Sequence, residues 1–153
     1  MKINKLYILL GLLVAFAVFF ELAAHADESN EYTRITFSAP IQIPGQVLPA
    51  GTYIFQQAMP DDNSNVIQVF NSDRTVLYET LPTVSTERAT ATSHTAITLS
   101  EPESGIPLLV KWFYPGSLDG HEFVYSGEQE HEIALAKQET LVGNEIMSKS
   151  AGE

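Results

Sequence analysis

Over most of the chain apolar and polar side chains alternate with a period of two, the spacing that sends successive residues to opposite faces of a strand. Tyr32 to Phe37 sets the pattern: Thr33, Ile35 and Phe37 fall on one face, Tyr32, Arg34 and Thr36 on the other. Pro40 and Pro44 bracket Ile41-Gln42-Ile43, a short extended piece that proline confines to a sheet edge or a bend. Leu48-Pro49-Ala50-Gly51 predicts a turn, with proline presetting φ and Gly51 free to take a positive φ. Thr52 to Gln57 is β-branched and aromatic and predicts the next strand. Val66 to Phe70 and Thr75 to Leu81 flank Asn71-Ser72-Asp73-Arg74, the clearest hairpin in the chain.

Pro82 to Ser93 is polar and threonine-rich, which predicts a long loop or a weak edge strand. Ala96 to Leu99 predicts a strand, and Pro102 and Gly105 mark the turn after it. Leu108, Val110, Trp112 and Tyr114 alternate with Leu109, Lys111 and Phe113. The segment Pro115 to Gly120 then turns the chain into His121 to Tyr125. About seven or eight short strands separated by turn signals predict a mainly β fold, an antiparallel β-sandwich or small barrel.

One helix is expected, near the C-terminus. Ser126 and Gln129 have capping-box spacing, and Glu128, Glu130 and Glu132 put negative charge at the positive end of the macrodipole. His131, Ala134, Leu135, Gln138, Leu141 and Val142 form one helical stripe, and Gly143 stands where a C′ glycine would end it.

The N-terminus changes the picture of where this domain works. Lys2 and Lys5 precede a charge-free run from Leu6 to Phe20, and Ala24-His25-Ala26 offers a small-x-small cleavage site. Residues 1–26 are therefore expected to be a signal peptide, since a spanning helix needs about 20 apolar residues and Glu21 ends this run early. The expected organisation is a leader at 1–26, a single β-rich domain with its helix at 27–143, and a disordered tail at 144–153. The mature protein is expected to be exported, periplasmic or extracellular, with no stable membrane insertion after cleavage.

Composition narrows the chemistry. The 153 residues hold 8 Lys plus Arg against 19 Asp plus Glu, a formal net charge of −11. Such a chain has no cationic surface with which to displace counterions from phosphates, so nucleic acid is not an expected partner. Cysteine is absent, which excludes disulfides, thiolate metal sites and cysteine nucleophiles. Stability must come from the core, and self-repulsion should make the protein mildly salt-stabilised.

Three segments carry a resemblance: Leu48-Pro-Ala-Gly-Thr-Tyr53, Asn65-Val-Ile-Gln-Val-Phe70, and Trp112-Phe-Tyr-Pro-Gly116 followed by Gly120-His-Glu-Phe-Val-Tyr125. In this order, over roughly residues 35 to 137, the chain resembles a group of small exported bacterial β-rich proteins. The resemblance implies the β fold and export. It implies no activity and no site residues.

Candidate chemistry is thin. Asp61-Asp62-Asn63-Ser64-Asn65 has oxygen ligands like the first half of a calcium loop, but Val66 and Ser72 occupy the positions where an EF-hand needs glycine and glutamate. His121 and His131 would meet only if the last strand and the helix packed closely, and no His-Glu-x-x-His is present. Ser117, Asp119 and His121 fall within one turn, and no Gly-x-Ser-x-Gly occurs. Phe113 shares a face with Lys111; either it is exposed for stacking or the Leu135/Val142 stripe covers it, and covering is the expectation. No catalytic, cofactor-binding or metal residue is assigned, and no cofactor is expected. The expected function is a non-catalytic exported module that binds a ligand or an envelope or extracellular partner. The alternatives are an assembly subunit accepting a strand at a sheet edge near Ile41–Ile43, and a small carboxylate-dependent hydrolase.

Overall fold

The computed structural model describes residues 32–58, 65–103, 105–143 and 145–146, all within one compact unit, Glu31–Glu153. The expected leader, the loop residues Asp61 to Ser64 and the tail beyond residue 146 lie outside the described residues. The described residues are mainly β, with one helix near the C-terminus. In chain order the first elements are β1 (Tyr32–Phe37), the short β2 (Ile41–Ile43) and β3 (Gln46–Leu48), and β4 (Gly51–Gln57). Next come β5 (Val66–Asn71), β6 (Leu77–Glu87), β7 (Ala96–Glu101), β8 (Leu108–Phe113) and β9 (Asp119–Phe123). The helix α1 (Gly127–Leu135) follows, then β10 (Lys137–Val142) and β11 (Glu145–Ile146).

Strands neighbour one another in the order β10-β7-β8-β9-β6-β5-β4-β1-β11, with β2 off this path beside β3 and β8. Pairing is antiparallel except for β1–β11 and β2–β8, which are parallel and make the sheet mixed. The described strands number more than the seven or eight expected because β3, β10 and β11 are added. β3 exists because Gly45, at φ 87°, lets Ile41–Leu48 fold into a tight hairpin. Gly51 does not take a positive φ. It pairs with Phe37 as the first residue of β4 and lies against the Tyr53 ring, whose hydroxyl donates to the Pro49 carbonyl at 2.6 Å.

β6 joins two sets of strands. Its first half pairs with β5 through Pro82, and its second half pairs with β9 from Thr83 to Glu87. Thus Pro82 to Glu87 is strand, with Thr83 to Glu87 paired to β9 alone as an edge-like stretch, and Arg88 to Ser93 forms the loop that the composition suggests. Pro82 is tolerated because it stands one residue outside the β9 ladder, while the neighbouring Thr83 N–H donates to Asn65 O at 2.7 Å.

The inward faces close on one core. Ile35 and Phe37 of β1, Tyr53 and Phe55 of β4, and Ile67 and Val69 of β5 are buried, as the alternation predicts. From the other strands Ile97, Leu99, Leu109, Trp112 and Phe123 enter the same cluster. Phe55 bridges the two sets, its ring 6.4 Å from both Trp112 and Phe123.

The helix ends earlier than its stripe predicts. Residues 137–142 leave it to pair with β7, from Lys137↔Glu101 to Val142↔Ala96. The apolar positions of the expected stripe do not form one buried face: Leu135 is 76% exposed and Val142 54%, Leu141 is half-buried against the core, and Ile133 alone is buried from α1. A lone inward residue cannot compete with a six-residue ladder on the edge of β7, so the chain turns to strand. The capping box also fails. Ser126 makes no side-chain cap bond, and its hydroxyl reaches Gln129 Oε1 at 3.2 Å, while Glu130 Oε1 accepts from the Tyr125 N–H at 3.0 Å. Glu145–Ile146, expected within the disordered tail, lies parallel to Thr36–Phe37 as β11.

Candidate functional site

Strands β1, β4 and β5 turn a second face away from the core, and the register sets its rows. Tyr32, Gln56 and Gln68 form one row, and Arg34, Ile54 and Phe70 the next. Thr36 and Thr52 form a third, their hydroxyls 2.9 Å apart. Cross-strand neighbours of this kind lie about 5 Å apart, so these side chains make one continuous surface. Ile54 is only 1% exposed although it faces outward, which means its neighbours cover it.

Arg74 is the side chain that organises this face. It sits in the β5–β6 turn at φ 61°, a left-handed conformation that costs a non-glycine residue about 1 kcal/mol. The turn is bound tightly enough to hold it there. Asn71 O accepts from Arg74 N at 3.1 Å, Asn71 N–H donates to Val76 O, and Asn71 Oδ1 accepts from Val76 N at 2.9 Å. The Thr75 hydroxyl donates to Asp73 Oδ1 at 2.6 Å, and this bond, with one from the Thr75 N–H, holds the Asp73 carboxyl below its ordinary pKa. From that turn the Arg74 guanidinium reaches back across the strands. It lies 5.6 Å from the Tyr32 ring centre and 5.9 Å from that of Phe70, and donates to Gln56 Oε1.

The surrounding charge is unusual for so acidic a chain. No Asp or Glu occurs from Tyr32 to Pro60, or from Asn65 to Ser72, so β1, β4 and β5 carry none. The one ion pair between described residues is Lys111–Glu122 at 3.4 Å, which leaves Arg34 and Arg74 without a carboxylate partner among them. The arrangement offers aromatic faces, two guanidinium groups and two amides on one sheet surface. It can stack on a flat apolar ring face and donate to an anion at the same time. Reading the sequence strand by strand misses this face, because its cations are forty residues apart. The signal that would have found it is the acid-free stretch itself.

The other sequence candidates resolve as follows. His121 is buried on β9, stacked on Trp112 at 5.5 Å and hydrogen-bonded through Nδ1 to Thr83 at 3.0 Å, whereas His131 is exposed on α1. Among the described residues no three His, Asp or Glu side chains gather to hold a metal. The Ser117 hydroxyl donates to the Asp119 carbonyl, and His121 bonds elsewhere, so the three do not form a nucleophile-and-base chain. Phe113 is buried, as expected, but the expected cover is wrong. The Arg88 guanidinium lies 4.9 Å over its ring while donating to Ser117 O, Thr92 Oγ1 and Tyr114 O. That burial lowers the pKa of Arg88 from its ordinary value. Ile41–Ile43 is not a free edge, since β3 pairs along it and β8 meets it at Gln42↔Leu108.

No described helix is long and apolar enough to cross a membrane. No protein family model, curated protein or solved structure matches the chain.

Proposed function

We propose that the protein is an exported, non-catalytic binding module whose contact surface is the outer face of β1, β4 and β5. The observation that carries this reading is Arg74. A strained backbone position holds a guanidinium beside two aromatic rings, on three adjoining strands that carry no acid. A binding role needs such a pre-organised surface, whereas a carboxylate hydrolase needs a sheltered acid pair. No carboxylate among the described residues is buried, which favours binding.

The test is a thermal-shift screen against soluble saccharides, peptides and lipid headgroups, run on the wild type and on an Arg34→Ser/Arg74→Gly double variant. A compound that raises Tm for the wild type alone supports the reading. Compounds that raise both equally, a panel with no effect on either, or turnover of any compound would overturn it.

A second reading keeps one specific observation in its favour. β10 ends the strand order and pairs only with β7 among the described strands, so an assembly role would use Lys137–Val142 and not Ile41–Ile43. Light scattering after size exclusion tests it, because a strict monomer at high concentration is incompatible with self-assembly through that edge.

A further inference from the structure

We infer that the ligand of this face is a carboxylated glycan, a chain containing uronic-acid residues; the inference rests on the binding reading above. Three features of the face select that chemistry. The first is electrostatic. Arg34 lies on the strand of Tyr32, two residues on, and therefore on the same face, and Arg74 lies over the neighbouring rings. A planar guanidinium matches a carboxylate with two parallel N–H donors, and β1, β4 and β5 supply no acid of their own to compete for either arginine. Of the other acids, Asp73 adjoins Arg74 in the turn but accepts from Thr75, and Glu145 stands beside Thr36 at the other end of β1 from Tyr32.

The second feature is what lies between the cations. The Gln56 and Gln68 amides and the Thr36–Thr52 hydroxyl pair are donors and acceptors suited to sugar hydroxyls. Tyr32, 42% exposed, offers a ring edge and face to a pyranose.

The third feature is the shape of the surface. β1 is paired with β4, β4 with β1 and β5, and β5 with β4 and β6, while β11 covers only Thr36 and Phe37 of β1. The two arginines therefore stand on the flat face of a sheet, where a ligand meets side chains, and a peptide added along the Tyr32–Ile35 edge is the competing outcome that the glutamate hexapeptide tests. Nucleic acid and anionic membranes present extended phosphate arrays, which the two arginines of this face do not match.

The experiment is an NMR titration of the full, isotopically labelled chain with a galacturonic-acid hexamer, its fully methyl-esterified counterpart and a glutamate hexapeptide. The expected result is saturable shift changes in β1, β4 and β5 with the acid hexamer. Binding by the ester should be at least about tenfold weaker, because the carboxylate–guanidinium bonds are lost. Arg74→Gly should weaken binding by about tenfold or more without unfolding the chain, since glycine is at ease at φ 61°. Lys137→Ser, on the distant edge strand, should leave binding unchanged. Equal binding of acid and ester, or glutamate-peptide binding on this face without hexamer binding, would overturn the glycan inference while leaving the face as the site. Hexamer-induced changes confined to other strands, or hexamer binding unaffected by Arg74→Gly, would overturn both. No shift change with any probe at millimolar concentration would overturn the glycan inference alone.

Discussion

At the scale of single residues, two positions fixed by close contact make opposite demands. Gly120 faces Phe113 across the β8–β9 ladder, and a Cβ there would come within 2.4 Å of the Phe113 ring and 2.7 Å of the Trp112 carbonyl. Neither neighbour can retreat, because Phe113 is held under Arg88 and the carbonyl belongs to a central strand. Gly120→Ala should therefore cost roughly 2 kcal/mol or more in chemical unfolding. Tyr125 makes the second demand. Its buried hydroxyl reaches Leu109 O at 2.7 Å and Gln42 O at 3.1 Å, tying β8 and β2 to the segment before α1. Burial, reinforced by the charge of Glu130, pushes its pKa far above the ordinary 10.0. The folded state thus resists losing that proton. Its stabilising contribution is complete below pH 10 and is withdrawn as pH rises beyond the unfolded-state value. Stability measured from pH 8 to pH 11 should fall across the top of that range, and Tyr125→Phe should flatten the fall while lowering stability at pH 8 by about 1 kcal/mol. An unchanged alkaline limb in the variant would remove Tyr125 as its cause.

At the scale of elements, the legible part of the fold was the part decided by alternation alone. The buried triad Thr33, Ile35 and Phe37 and the Asn71–Arg74 hairpin follow from side chains with a period of two, whereas β8 is buried at five of its six positions and its ladder with β7 shifts register between Thr98 and Leu99. Elements decided by long-range pairing were not legible. Lys137–Val142 satisfies a weak helical stripe and a strand alternation equally well, and only the waiting edge of β7 chooses between them. Pro82 reads as an interruption until β9 is known to stop at Phe123. The candidate face has the same character, because Arg74 reaches Tyr32 only after β1, β4 and β5 are set in register. A pair of truncations checks the helix assignment. Ile133→Ala should cost about 2–4 kcal/mol, while Leu135→Ala, at 76% exposure, should be close to neutral. Comparable losses at both would mean that the expected His131–Val142 stripe, and not Ile133 alone, anchors the segment.

For the whole molecule, the arithmetic of charge and its distribution say different things, and salt can separate them. A net charge of −11 with one ion pair between described residues means that most fixed charges repel. Raising ionic strength from 0.01 to 0.15 M shortens the screening length from about 30 Å to about 8 Å, which quenches repulsion across the domain but barely touches a contact pair. Stability should therefore rise with added sodium chloride, by about 1 kcal/mol, or on the order of 3–5 °C in Tm for a domain of this size. Arg34→Ser/Arg74→Gly removes two cations from the face of β1, β4 and β5 and adds two units to the imbalance. Because the screening length at 0.01 M spans the domain, the double variant should show a steeper salt dependence than the wild type even though neither arginine has a carboxylate partner among the described residues. Parallel curves would mean that the repulsion relieved by salt does not extend to this face.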